Sequence, residues 1–186
     1  MRFASMRNLD ISNGEGVGVS LFVQGCDRHC FNCFNPDTWD FNGGKEWTEE
    51  TKNKFIKLID RPYINRISVL GGEPLAEQNL DEVLSLIKEI RISFPKKTIW
   101  LYTGFCWNDI MCSFAGLQAD CIVLDKKDIE VWEKRKKIIS NVDVLVDGEY
   151  IDEQKDLSLR FRGSKNQRVI DVKQSLAQNK IILYCD

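Results

Sequence analysis

Short apolar segments alternate with longer amphipathic ones along most of the chain. Val17, Val19, Leu21 and Val23 alternate with smaller or polar residues, and this pattern predicts a strand that ends near Gly25. Short apolar runs bounded by turn residues predict four further strands, at Ile67–Leu70, Thr98–Tyr102, Cys121–Leu124 and Val142–Val146.

Apolar residues at helical spacing predict helices between these strands. The first helix is capped by Thr48 and runs to about Asp60, and the second begins at Asn79 and stops before Pro95. A third lies before the last strand, with apolar positions at Ile129, Trp132, Ile138 and Ile139. Its basic run, residues 134–137, is interpreted as a solvated face near the helix C-terminus.

Strands that alternate with helices at this spacing indicate a parallel sheet built from right-handed βαβ units. The chain has 186 residues, too few for a complete eight-stranded barrel, which needs about 250. We therefore predict an α/β fold in a single domain, residues 1–186, as an incomplete TIM-like β/α barrel or an open, mostly parallel sheet with flanking helices. Within it we expect a cluster loop at 25–42, a variable insertion at about 115–139 and a C-terminal tail at about 150–186.

Composition and charge narrow the classes of function. Hydrophobic residues make up 43% of the chain and charged residues 29%, as in an average folded globular protein. The net charge of −2 gives no overall field for holding nucleic acid or an anionic membrane, so neither is an expected partner. Because no long apolar run or export signal is present, a cytoplasmic location is predicted.

The cysteines favour metal binding over a disulfide framework. There are seven, an odd number, and three of them form the spacing Cys26-x3-Cys30-x2-Cys33 on the loop after the first predicted strand. Three thiolates suffice for three irons of a 4Fe-4S cluster and leave the fourth iron without a protein ligand. The alternative, a zinc-binding module, normally needs four ligands in two separated pairs. The lone histidine, His29, is assigned no ligand role.

Three of the remaining cysteines are interpreted as packing residues. Cys106 and Cys112 flank a predicted short helix, and Cys121 begins an apolar run, which is where small buried side chains are common.

The cysteine spacing, followed by Gly71-Gly72-Glu73-Pro74, resembles the radical S-adenosylmethionine superfamily. The resemblance implies two cofactors, a 4Fe-4S cluster held by Cys26, Cys30 and Cys33 and S-adenosylmethionine bound at the open iron. It also implies a cytosolic redox reaction in which no residue acts as general acid or base. The implied cofactor-binding residues are Asn32, Cys33, Phe34, Gly72, Glu73 and Thr103.

A closer resemblance is to the activating proteins of anaerobic (class III) ribonucleoside-triphosphate reductase. It is carried by Asn13-Gly14-Glu15-Gly16, Gly25-Cys26, Cys33-Phe34-Asn35-Pro36, Thr38-Trp39, Thr103-Gly104, Val146-Asp147-Gly148, Arg162-Gly163-Ser164 and Asn166-Gln167. Two positions depart from that family: Glu15 stands where proline is usual, and Asn32 where glycine is usual. The resemblance implies reductive cleavage of S-adenosylmethionine and formation of a glycyl radical on the reductase, with reduced flavodoxin or ferredoxin as electron donor.

Several alternatives stay open at this point. A radical enzyme similar to 7-carboxy-7-deazaguanine synthase shares the three-cysteine loop and the Gly-Gly-Glu-Pro turn. Arg162 and Arg168 are candidates for binding the reductase or the cofactor carboxylate, but are equally consistent with solvated arginines of a polar tail. Trp39 is either an anchor for the partner or a residue of a small satellite core.

Overall fold

A computed structural model of the chain describes residues 1–111 and 125–185. The strands are β1 (Arg2–Asp10), β2 (Gly18–Val23), β3 (Lys45–Glu46), β4 (Arg66–Gly71), β5 (Thr98–Tyr102), β6 (Val144–Asp147), β7 (Arg168–Asp171) and β8 (Leu183–Cys185). The helices are α1 (Glu49–Ile59), α2 (Leu80–Ser93), α3 (Trp107–Met111), α4 (Lys126–Ile139) and α5 (Val172–Gln178). The predicted strand at Cys121–Leu124, Cys112 and the beginning of the predicted insertion lie outside the described residues.

The eight strands form one mixed sheet in the order β3-β1-β2-β4-β5-β6-β7-β8. The four central strands, β2, β4, β5 and β6, run parallel to one another. β1 and β7 are antiparallel to their central neighbours, and the edge strands β3 and β8 pair antiparallel with β1 and β7. The α/β class and the flanking helices are confirmed, and the sheet is mixed, with parallel pairing at its centre and antiparallel pairing on both sides. Within the described residues β3 and β8 remain edge strands, so the sheet there is open and no TIM barrel is identified.

The main core lies between the sheet and the helices. The inward residues of β2, β4 and β5 are completely buried, and α2 covers them with the buried residues Val83, Leu86, Ile87 and Ile90. Removing this much apolar surface from water supplies the main favourable free energy of folding. No helix within residues 1–111 and 125–185 is long and apolar enough to cross a membrane.

The helix starts differ in how well the sequence predicts them. Thr48 caps α1 as predicted, with its hydroxyl accepting a hydrogen bond from the Thr51 amide at 3.3 Å. Asn79 precedes α2 but does not cap it. Its buried side-chain amide instead donates to the carbonyl oxygens of Gln24 and Glu73, both at 3.0 Å. Asn79 therefore joins β2 to the turn after β4.

The basic run of α4 is not uniformly solvated. Lys136 and Lys137 lie in the last turn of the helix. The Arg135 side chain, by contrast, lies over the Phe105 ring, 4.2 Å from its centroid, and donates to the Leu75 carbonyl oxygen at 2.9 Å. Burial lowers the pKa of Arg135. The prediction of a solvated face is therefore wrong for this residue, because α4 packs it against the loops that follow β4 and β5.

A buried ion pair lies on the face of the sheet opposite the main core. Arg66 of β4 and Asp10 at the end of β1 are both buried, and the Arg66 guanidinium donates to the Asp10 carboxylate at 3.1 Å. The backbone amides of Ser12 and Asn13 donate to the same carboxylate at 3.0 and 2.9 Å. Gly14 packs directly over Arg66 with φ of +127°, a conformation that suits glycine. This pair fixes the loop that carries the Asn13–Gly16 motif.

The C-terminal region, predicted as a tail from about residue 150, contains regular secondary structure. β7, α5 and β8 extend the sheet beyond β6, and Val169 and Ile170 are fully buried. Between β6 and β7 the chain makes an excursion whose two arms meet at an isolated bridge between Lys155 and Ser164. The excursion returns across the face of the sheet that carries Trp100, whose ring centroid lies 5.0 Å from that of Phe161.

Candidate iron-sulfur and cofactor site

A cavity of about 650 Å³ lies over the C-terminal ends of the four parallel strands. Each of the loops that follow them contributes to its wall, as expected for an α/β sheet. Its lining includes Cys26, Cys30, Cys33, Arg28, Phe34, Trp39, Gly71, Gly72, Glu73, Thr103, Gly104, Gly148, Glu149, Tyr150 and Arg162. Of the predicted site residues, all except Asn32 line this cavity.

The three cysteines after β2 share one wall of the cavity. All three are unpaired thiols of intermediate burial. Burial raises the pKa of Cys26 and that of Cys30, and the nearby carboxylates of Glu73 and Glu149 raise them further. Across residues 1–111 and 125–185, no three His, Cys, Asp or Glu side chains are already close enough together to hold a metal ion. The donor set, three sulfurs on one loop, nevertheless suits an iron-sulfur cluster better than an oxygen-binding cation.

The cysteine loop turns sharply through two residues with left-handed backbone. His29 has φ of +48° and Asn32 has φ of +54°. Asparagine tolerates this region better than most side chains, so it replaces the glycine of the resembling family at limited cost. Asn32 is exposed and its amide donates to Asp152 at 2.9 Å. Its side chain is thus engaged with the excursion after β6.

The base of the loop is held by backbone hydrogen bonds. The amides of Gly25 and Cys26 donate to the carbonyl oxygens of Thr38 and Trp39 at 2.8 and 3.0 Å, and the Glu73 amide donates to Gly25 at 2.7 Å. A Cβ atom on Gly72 would overlap the Gly25 carbonyl oxygen. The glycine at 72 therefore allows the two loops to touch.

Glu73 organises two neighbouring loops. Its carboxylate is buried and accepts hydrogen bonds from the Leu75 amide at 2.9 Å, the Thr103 hydroxyl at 2.7 Å and the Gly104 amide at 2.8 Å. Burial raises the pKa of Glu73, although these hydrogen bonds and the charge of Arg28 oppose the rise. Both Glu73 and Thr103 line the cavity, but their side-chain oxygens are used to join the turn after β4 to the turn after β5.

Arg28 is a site residue that sequence reasoning missed. It lies between Cys26 and Cys30 and its guanidinium reaches Glu73 at 3.6 Å, forms an ion pair with Glu149 and lies 4.2 Å from the centroid of the Phe105 ring. No sequence pattern marked it, because its partners come from three other loops that only the fold brings together.

The excursion after β6 forms the opposite wall. Tyr150 packs against Phe34 with ring centroids 5.0 Å apart, and Gly163 lies directly beside the Phe34 ring. Arg162 lines the cavity, and its Nε atom is buried without a hydrogen-bond partner. Arg168 instead faces Asp147 and does not line the cavity. The sequence analysis gave Arg162 and Arg168 the same candidate roles, but the two side chains lie in different environments.

Trp39 also lines the cavity. The His29 ring stacks on it with centroids 4.6 Å apart, which supports the strained turn of the cysteine loop. Cys106 is half-buried and does not line the cavity.

A mixed sheet whose central strands end in one cavity, with three free thiols on the first loop, suits the class of proteins that hold a single iron-sulfur cluster. The sequence matches the family described as "4Fe-4S single cluster domain" over residues 12–170.

The similar proteins are more specific. Anaerobic ribonucleoside-triphosphate reductase-activating proteins of Salmonella typhi and Escherichia coli K12 are 33% and 32% identical over 171 residues, covering 91% of this chain and 97% of their own lengths. The protein of the same name from enterobacteria phage T4 is 32% identical over 171 residues and is covered to 93%. The chain belongs to the family of anaerobic ribonucleoside-triphosphate reductase-activating proteins, which confirms the resemblance predicted from its sequence.

Proposed function

We propose that this protein is an activating enzyme that generates a glycyl radical on an anaerobic ribonucleoside-triphosphate reductase. The observation that carries the proposal is the cavity where Cys26, Cys30 and Cys33 face the Gly72–Glu73 turn. Family membership supports the activating role, and the cysteine spacing supports S-adenosylmethionine as the second cofactor. The proposed location is the cytoplasm, where thiols remain reduced, and the proposed electron donor is a reduced flavodoxin or ferredoxin.

The cofactor supplies the reactivity. When bound, a reduced 4Fe-4S cluster supplies one electron that cleaves the sulfonium of S-adenosylmethionine into methionine and a 5′-deoxyadenosyl radical, which removes a hydrogen atom from a glycine Cα. In this proposal Cys26, Cys30 and Cys33 would hold three irons. No protein group needs to accept or donate a proton, which agrees with the use of Glu73 and Thr103 in hydrogen bonds to each other.

The protein's own residues position and shield the reactants. The backbone of Gly72 and Glu73, and that of Asn32 to Phe34, would meet the amino acid part of S-adenosylmethionine. The Arg162 guanidinium, which has a buried nitrogen without a partner, would bind the cofactor carboxylate. Phe34 and Tyr150 close the side of the cavity and would limit the access of water to the radical.

The test is anaerobic reconstitution with iron and sulfide, followed by addition of dithionite and S-adenosylmethionine with and without the purified reductase. A glycine-centred doublet in the electron paramagnetic resonance spectrum of the reductase, together with 5′-deoxyadenosine, is expected. Deoxyadenosine without a protein radical would reject the reductase as substrate, and conversion of carboxy-tetrahydropterin would favour the deazaguanine alternative. Stoichiometric zinc without iron would reject the cluster.

A further inference from the structure

The outer part of the cysteine loop has few backbone anchors. Beyond Cys26, the one backbone hydrogen bond within residues 27–34 that lies outside regular structure joins the Cys33 amide to the Cys30 carbonyl oxygen at 3.1 Å. The other described hydrogen bonds and ring contacts of this segment involve at least one side chain, including those from the Arg28 and His29 amides to the Cys26 sulfur. His29 stacks on Trp39, whereas Asn32 contacts the excursion after β6. These contacts do not connect the outer loop to the turn after β4.

Arg28 makes that connection. Its Nε lies 3.6 Å from the Glu73 carboxylate, and its terminal nitrogen pairs with Glu149 after β6. The plane of the guanidinium lies near the ring of Phe105, which follows β5. One side chain thus contacts all three of the other loops that form the cavity. Only about a fifth of the Arg28 side chain is exposed and Glu73 is buried, so solvent screens the contact between these two residues weakly.

The neighbouring backbone leaves room for this side chain. A Cβ atom on Gly104 would overlap the Arg28 side chain near its Cδ atom. The Arg28 Nε is buried and has no hydrogen-bond partner, and the Glu73 carboxylate lies 3.6 Å from it. A small closure of the loop would turn the 3.6 Å ion pair into a charge-assisted hydrogen bond.

We propose that Arg28 is a positioning residue that couples the cysteine loop to the Gly72–Glu73 turn, so that S-adenosylmethionine binds only weakly when this link is absent. The inference rests on the proposed function, because it assumes that the turn contacts that cofactor. Arg28 does not touch the reacting atoms. It acts by fixing the distance between the loop that carries the cysteines and the turn that would receive the amino acid part of the cofactor.

The planar fork of arginine is needed for this role. Its Nε and terminal nitrogens point in different directions, toward Glu73 and Glu149, while its face remains free to stack on Phe105. A lysine at position 28 would keep the charge but would reach only one carboxylate at a time and lose the stacking. Arg28→Lys is therefore expected to retain part of the coupling, and Arg28→Ala almost none.

The test compares the wild type with Arg28→Ala, Arg28→Lys and a control, Arg61→Ala. Arg61 also lies over an aromatic ring, that of Tyr63 at 5.2 Å, and bonds the Leu58 carbonyl oxygen, but it does not line the cavity. Two quantities are measured on each reconstituted protein: iron per chain, and the dissociation constant of S-adenosylmethionine by anaerobic equilibrium dialysis. Neither quantity depends on the reductase.

The expected result is separation of the two quantities. Arg28→Ala should keep the iron content of the wild type, because all three cysteines remain, while its dissociation constant rises about tenfold, as for the loss of one buried charged contact. The dissociation constant of Arg28→Lys should lie between those of the wild type and Arg28→Ala. The dissociation constant of Arg61→Ala should match that of the wild type. Equal dissociation constants in all four proteins would overturn the inference, as would a loss of iron without weaker binding to the remaining holoprotein.

A second variant keeps the inference testable if Arg28→Ala fails to fold. Gly104→Ala leaves the arginine in place but displaces its side chain, so it should weaken cofactor binding in the same way. The double variant Gly104→Ala/Arg28→Lys should then bind no more weakly than Arg28→Ala. Fully additive effects of the two changes would reject the coupling. If the wild type itself binds no S-adenosylmethionine, the proposed function fails together with this inference.

Discussion

Arg168 and Asp147 are direct cross-strand neighbours on β7 and β6, and their side chains form two parallel hydrogen bonds of 2.9 and 2.5 Å. Asp147 is buried, and its carboxylate also accepts the Trp107 amide at 2.8 Å, near the start of α3. A bidentate pair of this kind fixes both partners. Arg168 thus joins three elements, which gives it a structural role that its position in the sequence did not reveal.

Arg168→Gln should destabilise the protein without weakening cofactor binding. It leaves the buried Asp147 carboxylate without its cation. We expect the free energy of unfolding to fall by about 2 kcal/mol, between the values for exposed and for fully buried pairs, because Arg168 is itself partly exposed. Chemical denaturation of the apo-protein measures the change. A weaker affinity for S-adenosylmethionine at unchanged stability would contradict this assignment.

Arg162→Gln should show the reverse pattern. Arg162 lines the cavity and its buried Nε lacks a partner, so its removal costs the fold little. If it binds the cofactor carboxylate, the dissociation constant for S-adenosylmethionine should rise at least tenfold, since charged hydrogen bonds to a ligand are worth about 1.5–3 kcal/mol. Equilibrium dialysis of Arg162→Gln beside Arg168→Gln provides the matched comparison.

Each of Cys26→Ala, Cys30→Ala and Cys33→Ala should abolish the cluster. The loop offers three sulfurs, and loss of one leaves too few ligands for three irons. Iron and acid-labile sulfide are measured after anaerobic reconstitution, with Cys106→Ala as the control because Cys106 does not line the cavity. Full iron content in any of the three variants would show that its cysteine is not a ligand.

Asp10→Asn should destabilise the protein in a pH-dependent way. Burial alone would raise the pKa of Asp10, but hydrogen bonds from the Asn13 backbone and from Arg66 outweigh it and lower the pKa to about 2. A lowered carboxyl pKa means that stability is present above the unfolded value of 3.8 and is lost as the pH falls from about 4 toward 2. We expect a loss of about 2 kcal/mol at pH 7 that becomes clearly smaller at pH 3.

The matched control for this change is Asp81→Asn. Asp81 pairs with Lys134 at 2.7 Å but is largely exposed, so its loss should cost less than 1 kcal/mol. Denaturation curves of both variants and the wild type between pH 3 and pH 7 give the comparison. A difference between Asp10→Asn and the wild type that does not change with pH would show that the effect is not electrostatic.

Asn32 allows a test of the strained turn in the cysteine loop. With φ of +54°, Asn32→Ala should make the loop less stable by about 1 kcal/mol, whereas Asn32→Gly should be tolerated despite losing the hydrogen bond to Asp152. The rate of iron release to a chelator reports on the loop and should be faster only in Asn32→Ala. Equal rates in both variants would assign the effect to the lost Asp152 contact.

The sequence predicts the central elements well and the edges poorly. β2, β4, β5 and α1 combine strong periodicity with clear turn residues, so local pattern and tertiary burial agree there. β1 escaped prediction because most of Arg2–Asp10 is polar or exposed, and its place in the sheet depends on pairing with β2. β7 and β8 are three or four residues long, too short for a period to be recognised.

The candidate site shows the same division. The cysteines, Gly72, Glu73 and Thr103 could be predicted because motif and strand position coincide. Arg28, Asp147 and the contrast between Arg162 and Arg168 depend on contacts between residues far apart in the chain. Arg28, for example, meets Glu149, which lies 121 residues further on. Such pairs leave no local pattern, so only the folded arrangement reveals them.

The Glu73 carboxylate accepts hydrogen bonds from the backbone amides of Leu75 and Gly104, which belong to two different loops. A motion that removes Glu73 from one amide also removes it from the other. The two amide protons should therefore exchange with solvent deuterium as one cooperative unit. The floor of the cavity would then open as a single event rather than loop by loop. Protection at these two amides should therefore rise together, by the same factor, when a ligand fills the cavity.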